Sequence, residues 1–264
     1  MVRFIFAHGE YIGSFTVSVI SHGHHQQTTH LLSQLAQLCA TDLNQVIITD
    51  NLADHAAQDY VGHAGRFPFE VTYVSNPHPL GFGANHNRAF ALCKSDYFCV
   101  MNPDIELIES PFGSLALAIE RQGVAVSYPV QMDCDKLLLD FERRLVTPCA
   151  LFVRHALRNL FAPEDTKNSH WASGAFLVFK NEVFRALDGF DEGYFMYCED
   201  VDICLRAQLA GYRLARADAT VVHHTQRRTL KNVQHLAWHV RSLWRLWHSQ
   251  AYLQYKKQFI DRNN

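Results

Sequence analysis

Short apolar runs and segments with helical spacing alternate along the first part of the chain. The runs that predict strands are Phe15–Ile20, Val46–Thr49, Val71–Ser75 and Tyr97–Met101, and the segments that predict helices are Thr28–Cys39 and Ala84–Cys93. This order of strands and helices predicts an α/β fold in which helices cover a mostly parallel sheet. Ligands of such sheets bind beyond the carboxyl ends of the strands, so the loops that follow these strands are candidate binding loops.

The pattern is less regular in the second half of the chain. Strands are predicted at Ala175–Phe179, Tyr212–Ala215 and Thr220–His223, a helix at Val201–Ala210, and helical spacing from Thr229 to about Lys257. No repeat, low-complexity tract or linker interrupts the chain. We therefore expect one compact domain over residues 1–225 and a helical tail over residues 226–264.

Composition places the chain among globular proteins, since 48% of its 264 residues are hydrophobic and 19% are charged. No apolar run approaches the ~18 residues that a membrane span needs, and Met1–Gly13 lacks the pattern of a secretory signal. The seven cysteines are odd in number and form no Cys-x-x-Cys motif. We expect no disulfide framework or structural zinc site, and a location in the reducing cytoplasm.

The tail differs in charge from the body. Residues 226–264 hold eight Lys or Arg and one acid, whereas residues 1–225 carry a net charge of −9. One helical stripe of the tail is apolar and another is largely basic; the first holds Leu230, Val233, Leu236, Val240, Leu243, Trp244 and Trp247, the second Arg227, Lys231, Arg241 and Arg245. Residues 227–257 therefore predict peripheral binding to the inner face of the plasma membrane. The alternative is a helix that packs on the body or on a second subunit; a nucleic-acid partner is disfavoured because the body is acidic.

Two motifs lie in the predicted binding loops. In Asn102-Pro-Asp104, Pro103 ends an apolar strand, which presents Asp104 either as a carboxylate for a divalent cation or as the cap of an ordinary turn. The motif that runs from Gly81 to Arg88 begins Gly-Phe-Gly but lacks the third glycine of a dinucleotide fingerprint. It is either a glycine turn into a helix or a cradle for a phosphate.

Acidic residues are densest in Glu199-Asp200-Val-Asp202, in the first turn of a predicted helix, where the helix macrodipole favours negative charge. The apolar segment Phe195–Cys198 precedes them and predicts a partly buried setting. There, neighbouring carboxylates can have raised pKa values and one can serve as a general base. Burial and the macrodipole act in opposite directions, and the sequence leaves the net shift open.

Histidines follow two of the predicted strands. His223-His224 could supply one imidazole to a metal site with Asp104, bind phosphate, or simply end a strand. A second group, His22, His24 and His25, has no cysteine or acid spaced to complete a zinc site, so we interpret it as a ligand-facing loop.

Taken together, these motifs resemble family two of the glycosyltransferases, which has the GT-A fold. The resemblance runs from about Phe15 to about Thr225 and rests on four blocks in the right order: Leu-Gly-Phe-Gly-Ala-Asn, Met-Asn-Pro-Asp, Trp171-Ala-Ser-Gly-Ala175, and the segment from Gly189 to Arg206. It is nearest to bacterial dTDP-rhamnosyltransferases of surface-polysaccharide synthesis, such as that of the O-antigen of lipopolysaccharide.

The resemblance implies roles for matching positions. It implies nucleotide-sugar contacts by Ser21, His22, Asp50, Gly83, Asn85, Asn102 and Asp104, and acceptor contacts by Trp171, Ser173, Gly174 and Asp202. The implied catalytic base is Asp200, supported by Glu199, and the implied ligands of a Mg or Mn ion are Asp104 and His224. Two positions depart from the family pattern: Asn102 replaces an Asp, and His22-Gly23 replaces Tyr-Asn.

The activity that the resemblance implies is an inverting sugar transfer. The expected donor is dTDP-rhamnose and the expected acceptor is a polyprenyl-diphosphate-linked saccharide. One base would take the acceptor proton, and the cation would stabilise the departing nucleoside diphosphate. The alternatives are another donor, such as a UDP-hexose, and an inactive relative that serves as a scaffold.

Overall fold

The computed structural model describes residues 5–7, 10–55, 58, 67–135, 137–138, 141–145, 147, 170–224 and 233–260. The strands within these ranges are β1 (Ile5–Ala7), β2 (Glu10–Gly13), β3 (Phe15–Ser21), β4 (Leu43–Asp50), β5 (Glu70–Ser75), β6 (Tyr97–Met101), β7 (Ile105–Leu107), β8 (Val124–Met132), β9 (Glu142–Arg143), β10 (Trp171–Ala172), β11 (Phe176–Lys180) and β12 (Arg213–His223). The helices are α1 (His25–Leu38), α2 (Phe82–Phe90), α3 (Phe112–Ile119), α4 (Asn181–Ala186), α5 (Glu199–Leu209), α6 (Val233–His248) and α7 (Gln250–Tyr255), and a π-helical turn, Lys256–Ile260, follows α7.

An eight-stranded sheet in the order β5-β4-β3-β6-β11-β8-β12-β7 forms the centre of the molecule. The strands β5, β4, β3 and β6 run parallel, whereas β11 is antiparallel to both of its neighbours. Two antiparallel strand pairs, β1-β2 and β9-β10, lie outside this sheet. The strands of the second pair are far apart in sequence, and this pair is called the β9-β10 hairpin below. The predicted α/β architecture is confirmed, and the elements predicted in the first part of the chain match the observed ones to within three residues at each end.

The strand register brings the candidate loops together. Ser21 lies opposite Asp50, and Asp50 lies opposite Ser75, so β3, β4 and β5 end side by side. The segments that follow these strands, and the one that follows β6, therefore meet at one edge of the sheet.

Helices cover both faces of the sheet. On one face, α1 and α3 pack through buried side chains that include Leu31, Leu35 and Phe112. The other face packs on α2, α4 and α5 through a group of phenylalanine rings whose neighbouring centroids are 4.6–6.1 Å apart: Phe90, Phe98, Phe179, Phe184 and Phe190. This group forms an aromatic core beside the helix that begins with the acidic cluster.

Strand β8 is among the elements that the sequence analysis does not predict. The sequence predicts separate strands at Tyr212–Ala215 and Thr220–His223, but the structure joins them in β12, which pairs in parallel with β8 through a register shift between Arg216 and Thr220. Pro129 lies in β8 opposite this irregularity. Because proline has no N–H to donate to the ladder, the irregularity in β12 is what allows a nine-residue strand to contain it.

The C-terminal segment is two helices where the sequence predicts one from Thr229 to about Lys257. After α6 ends, Ser249 caps α7 by accepting a hydrogen bond from the N–H of Tyr252 at 3.1 Å. Both helices share a buried cluster with α5, to which α6 contributes Leu246. Residues 225–232 lie outside the described part of the chain, and within that part no helix is both long enough and apolar enough to cross a bilayer.

Candidate active site

A buried amide cluster of Asn51, Asn76 and Asn85 lies beyond the ends of β4 and β5. Asn76 Nδ2 donates to Asn51 Oδ1 at 2.8 Å and to Asn85 Oδ1 at 2.5 Å, and Arg88 Nη1 donates to Asn76 Oδ1 at 2.5 Å. Asn85 Nδ2 donates to the carbonyl oxygen of Gly81 at 3.0 Å. The three asparagines are at most 3% exposed. Asn85, which is predicted to contact the nucleotide sugar, therefore shapes the binding loop from inside and does not face solvent.

Asp50 is 1% exposed, and its side chain stabilises the loop that follows β4. Its carboxylate accepts hydrogen bonds from the N–H of Leu52 at 3.1 Å, the N–H of His55 at 2.9 Å and the hydroxyl of Tyr73 at 2.6 Å. Burial raises the pKa of Asp50, but these hydrogen bonds outweigh burial and the pKa is lowered overall. The carboxylate is thus ionised and engaged within the protein, and its contact with a nucleotide stays a prediction.

Ser21 and His22 follow β3 in different settings. Ser21 is 1% exposed, and its hydroxyl is buried without a hydrogen-bond partner. His22 is exposed, with Nδ1 3.0 Å from Asn51 Nδ2. Burial, and then the charge of His235 on α6, lower the pKa of His22. The charge of a residue on α6 therefore acts on the loop after β3, which the sequence does not indicate.

The glycines of Gly81-Phe-Gly83 permit close packing. A Cβ at Gly81 would lie 2.8 Å from the carbonyl oxygen of Phe195, and one at Gly83 would lie 2.6 Å from the Cβ of Phe190. The N–H of Phe82 also donates to Phe195 O at 2.8 Å. The loop is thus fixed to the segment that precedes α5. Gly83, which is predicted to touch the nucleotide sugar, is buried against Phe190.

Asp104 follows β6, as predicted, and faces the end of β12. Its Oδ1 lies 3.3 Å from His223 Nε2, and the two side chains are 20% and 12% exposed. The imidazole of His224 instead lies against Glu106, with Nε2 2.6 Å from Oε2, while its backbone N–H donates to the carbonyl oxygen of Asp104 at 3.0 Å. The imidazole beside Asp104 is therefore that of His223, where the family resemblance implied His224.

The pair of Asp104 and His223 fits a divalent cation that a ligand helps to hold. Asp104 Oδ1 is buried and makes no hydrogen bond, and a carboxylate oxygen with an imidazole nitrogen is a suitable donor set for Mn or Mg. No three His, Cys, Asp or Glu side chains within the described ranges gather around one point. Oxygens of a bound diphosphate or of water would therefore have to complete the coordination.

Asn102, half-buried, joins β6 to β11 through its N–H, which donates to Ala175 O at 2.8 Å.

The chain enters α5 through two residues in the left-handed region. Tyr197 and Cys198 have φ values of 72° and 69°, a conformation that costs a non-glycine residue about 1–3 kcal/mol. The hydroxyl of Tyr197 lies 2.9 Å from Nδ1 of His235 on α6. This backbone path places Glu199 inside the protein and leaves Asp200 half-buried at the start of the helix.

Glu199 and Asp200 are neighbours with different surroundings. Asp200 Oδ2 accepts a hydrogen bond from the N–H of Gly174 at 2.9 Å, and Oδ1 accepts one from the N–H of Val201 at 2.8 Å. Glu199 is 6% exposed, and its Oε2 is buried without a hydrogen bond. Burial raises the pKa of both carboxyls, and the charge of Asp200 raises that of Glu199 further. Both pKa shifts favour the protonated form, but Asp200 accepts two backbone hydrogen bonds that stabilise an anion and Glu199 Oε2 accepts none, so we expect Asp200 to carry the charge and Glu199 to hold the proton.

Trp171, Ser173 and Gly174 lie along the β9-β10 hairpin beside Asp200. A Cβ at Gly174 would lie 3.2 Å from the Cβ of Asp200, so the close approach favours glycine. The N–H of Ser173 donates to the carbonyl oxygen of Phe141 at 2.8 Å, and Trp171 is half-buried. The sequence-predicted acceptor residues 171–174 are thus grouped around the candidate base.

Asp202, the fourth residue predicted to contact the acceptor, lies elsewhere. It is 3% exposed, and its Oδ2 accepts a hydrogen bond from Arg206 Nε at 2.7 Å. It borders a cavity of about 690 Å³ that is also lined by Asp191 and Arg206 but not by Asp200. The carboxylate of Asp202 therefore supports α5 and is not part of the surface around Asp200.

Arg143 is a charged residue of the site that sequence reasoning missed. Its Cζ lies 5.4 Å from the ring centroid of Trp171, across the β9-β10 hairpin. Its charge partly offsets the effect of burial on the pKa of Asp200, and it adds to the burial that lowers the pKa of His239 on α6. Arg143 and Trp171 are far apart in sequence and no local motif marks the arginine, so only the hairpin pairing reveals it.

Comparisons with known proteins agree with this geometry. The model of the family described as glycosyltransferase like family 2 matches residues 13–239. The chain is 30% identical to rhamnosyltransferase WbbL of Escherichia coli (strain K12), over 94% of this chain and 95% of that protein. It is 27% identical to the N-acetylglucosaminyl-diphospho-decaprenol L-rhamnosyltransferase of Mycobacterium tuberculosis (strain CDC 1551 / Oshkosh), over 81% of this chain and 78% of that protein.

Solved structures share the fold at low sequence identity. GalNAc-T7 with UDP, GalNAc and Mn2+ superimposes with a TM-score of 0.63 at 14% identity, over 81% of this chain and 43% of that one. S. aureus TarS 1-349 with UDP-GlcNAc gives 0.61 at 15% identity, over 95% and 74%. Mannosyltransferase PcManGT from Pyrobaculum calidifontis, with GDP-Man and Mn2+, gives 0.58 at 17% identity, over 95% and 65%. Because the family model spans most of the chain and the sheet has this architecture, the chain belongs to glycosyltransferase family 2 and is a glycosyltransferase with the GT-A fold.

Proposed function

We propose that this protein is an inverting rhamnosyltransferase that moves L-rhamnose from dTDP-rhamnose to a polyprenyl-diphosphate-linked saccharide in surface-polysaccharide synthesis, such as that of the O-antigen. The observation that carries the proposal is the half-buried Asp200, held by the N–H of Gly174 beside Trp171. The names of the two curated relatives support rhamnose as the sugar, and one of them names a diphospho-decaprenol acceptor.

Inversion is a single displacement at the anomeric carbon and needs one base. Asp200 takes the proton from the acceptor hydroxyl, and the N–H of Gly174 keeps the carboxylate oriented. The raised pKa of Asp200 makes it a stronger base than an exposed Asp, while Glu199 stays protonated and adds no second charge beside it. Trp171 and Ser173 border the space in which the acceptor sugar would lie.

Asp104 and His223 are the residues that would hold a Mg or Mn ion in this proposal. Such an ion would offset the negative charge that develops on the departing nucleoside diphosphate. Asp104 Oδ1, buried without a hydrogen bond 3.3 Å from His223 Nε2, supports the assignment. Two structures of the same fold contain Mn2+.

A panel of nucleotide sugars tests the donor. The protein would be incubated in Mn with dTDP-rhamnose or UDP-hexoses and a short-chain polyprenyl-diphosphate N-acetylglucosamine, and products followed by mass spectrometry. Transfer from dTDP-rhamnose alone supports the proposal, and transfer from a UDP-hexose supports the alternative donor. No transfer from any donor would favour an inactive scaffold protein. The matched control is Asp200→Asn, which keeps the side-chain shape and should form product at least about 100-fold more slowly.

We further propose that residues 227–257 hold the enzyme at the inner face of the plasma membrane as a helical tail, residues 226–264, on a catalytic domain of residues 1–225. The outer stripe of α6 consists of Val233, Leu236, Val240 and Trp244, whose side chains are 46–84% exposed. Arg241 is exposed as well. Arg245, which the sequence assigns to the cationic stripe, instead pairs with Asp191 at 2.8 Å and anchors α6 on the body. Leu230, Arg227 and Lys231 lie outside the described residues.

Vesicle flotation separates lipid binding from a subunit contact. Trp244→Ser combined with Arg241→Glu should release the protein from anionic vesicles, because both apolar burial and charge attraction are lost. Leu117→Ser, at an exposed leucine of α3, is the matched control and should still float. A double variant that splits an oligomer in sizing chromatography, while wild-type protein fails to float, would assign the stripe to a second subunit.

A further inference from the structure

One face of α6 packs along the chain segment that leads into α5. This segment, residues 191–198, is called the approach segment below, because the acidic cluster begins directly after it. The side chains of α6 that contact it recur every three or four positions, as a single helix face requires. They are His235, Trp238, Ser242 and Arg245.

The contacts are closest at the end of the approach segment that precedes the base. The buried Ser242 donates from Oγ to the carbonyl oxygen of Met196 at 2.8 Å. The hydroxyl of Tyr197 lies 2.9 Å from Nδ1 of His235, and its ring centroid lies 5.0 Å from that of His239. Helix α6 therefore holds both the backbone and a side chain of this segment just before α5 begins.

The end of the approach segment is also where the backbone is strained. Tyr197 and Cys198 have positive φ values, and non-glycine residues keep this conformation only where the surrounding structure holds them in it. The carbonyl oxygen of Cys198 accepts a hydrogen bond from the N–H of Asp202 at 2.9 Å, the first bond of α5. The conformation of these two residues thus sets where α5 starts, and Asp200 is the second residue of that helix.

We propose that His235 is a positioning residue for the base: through Tyr197 it holds the approach segment in the conformation that places Asp200 beside Gly174. This inference rests on the proposed function, in which Asp200 takes the acceptor proton. The N–H of Gly174 orients one carboxylate oxygen of Asp200, whereas the start of α5 fixes the backbone that carries it. Helix α6 would then serve the reaction with its inner face and the membrane with its outer stripe.

Two substitutions at His235 test this role. His235→Leu removes the ring nitrogens, and His235→Asn keeps a polar atom near the position of Nδ1. A soluble, short-chain diphosphate-linked N-acetylglucosamine keeps membrane binding out of the assay. We expect kcat of His235→Leu to fall about tenfold, because a displaced base transfers the proton more slowly, and the KM for dTDP-rhamnose to change less than about twofold. His235→Asn should recover most of kcat.

The matched control is His248→Leu on the same helix. His248 is an exposed histidine whose ring lies against Trp244 of α6, with Nδ1 2.7 Å from the carbonyl oxygen of that residue. The same substitution at this position should leave both kcat and the KM for the donor unchanged.

A double variant tests whether the effect passes through Tyr197. Tyr197→Phe removes only the hydroxyl and should lower kcat by a factor similar to that of His235→Leu. When the two changes are combined, kcat should fall no further, because both break the same contact. Losses that multiply would contradict the inference. If His235→Leu does not fold, Tyr197→Phe still measures the contact.

The outcomes separate the inference from the proposed function. If His235→Leu keeps the wild-type kcat per nucleotide-binding site, counted by calorimetry, the inference is overturned while the proposed function stands. If wild-type protein transfers sugar from no donor, the proposed function fails, and hydrogen exchange followed by mass spectrometry decides whether His235 holds the segment. Amides of residues 197–204 should then exchange faster in His235→Leu than in wild type or His248→Leu. Unchanged exchange there would reject the inference.

Discussion

Asp50 and Glu199 are two buried carboxyls, one at the end of β4 and one at the start of α5, and their pKa values shift in opposite directions. They are 1% and 6% exposed. Asp50 accepts hydrogen bonds from Tyr73 and from backbone N–H groups and its pKa is lowered, whereas Glu199 Oε2 accepts none and its pKa is raised. Hydrogen-bond donors outweigh burial at Asp50, whereas at Glu199 burial and then the charge of Asp200 determine the direction of the pKa shift.

The same contrast extends to the neighbouring side chains. On the side of β4 and β5, the amide cluster of Asn51, Asn76 and Asn85 is linked by hydrogen bonds, which stabilises the loop conformation. On the side of α5, the backbone is strained at Tyr197 and Cys198, and the buried Oε2 of Glu199 has no hydrogen-bond partner among the described residues. Hydrogen bonds therefore stabilise the side of β4 and β5, whereas backbone strain and an unpartnered carboxyl oxygen lie on the side of α5, which also holds the proposed base, Asp200.

The largest expected effect is on the α5 side, at the base. Asp200→Asn keeps an oxygen that can accept from Gly174 but removes the group that takes the proton. We expect turnover to fall by about 10²- to 10⁴-fold, with binding of the donor nucleotide unchanged. Steady-state rates and calorimetric titration of the nucleotide measure the two quantities. In wild type, the raised pKa of Asp200 should place the acid limb of kcat/KM above the range of an exposed Asp. Near-normal turnover of the variant would remove Asp200 from the mechanism.

The next largest effect is expected in the amide cluster beside β4 and β5, and it is an effect on the free energy of unfolding. Asn76→Ala leaves the side-chain groups of Asn51, Asn85 and Arg88 without their partner. We expect a loss of about 2–3 kcal/mol in the free energy of unfolding, or roughly 5–10 °C in Tm. Asn44→Ala removes a single hydrogen bond to Ser14 and is the matched control. If Asn76→Ala instead lowers turnover of folded protein at unchanged Tm, the amide cluster acts in binding and the contrast is wrong.

A smaller effect separates the two adjacent histidines at the end of β12. His223→Ala removes the imidazole beside Asp104 and should weaken nucleoside-diphosphate binding in Mn by about tenfold, from the loss of one metal ligand or its support. His224→Ala removes a contact with Glu106 and should change this affinity little. Titrations with Mn and with excess chelator measure both variants. Equal behaviour of the two variants would contradict the assignment of His223.

Local patterns in the sequence predict the helices and strands of the first part of the chain, but not the direction of the pKa shift at Glu199. Alternation of apolar runs and helical segments predicts β3 to β6 with α1 and α2, because each element has its own periodicity. The strand β8 is concealed because Pro129 argues against a strand until the irregularity of β12 is seen opposite it. The direction of the pKa shift at Glu199 depends on which donors the fold brings near, and these come from distant segments.

The sequence also does not show which way each side chain points. Of two consecutive histidines, only one can face Asp104, and the register of β12 with β7 decides which. Asp202 is acidic like Asp200, but it lies against Arg206 on another side of α5. Arg143 reaches the site through a hairpin whose strands are far apart in sequence. In each case the sequence shows the residue type but not the residue that it contacts.

The smallest effect on activity is expected at Glu199, where the contrast with Asp50 is tested directly. Glu199→Gln imitates the protonated carboxyl, so turnover should stay within about threefold of wild type. The folded-state pKa of Glu199 is raised above its unfolded value, so its contribution to stability is full below the unfolded pKa and is lost as pH rises through the folded pKa. Glutamine does not titrate. The variant should therefore match wild type in Tm at acid pH and exceed it at alkaline pH. Scanning calorimetry over a pH series measures the difference, and Asp50→Asn is the matched control. Because the pKa of Asp50 is lowered, its stabilising contribution is present above its unfolded pKa and is lost as pH falls through the folded pKa, so Asp50→Asn should lower Tm equally at neutral and alkaline pH and least at acid pH. A Glu199→Gln variant that is inactive, or less stable at every pH, would show that Glu199 carries the charge and Asp200 the proton.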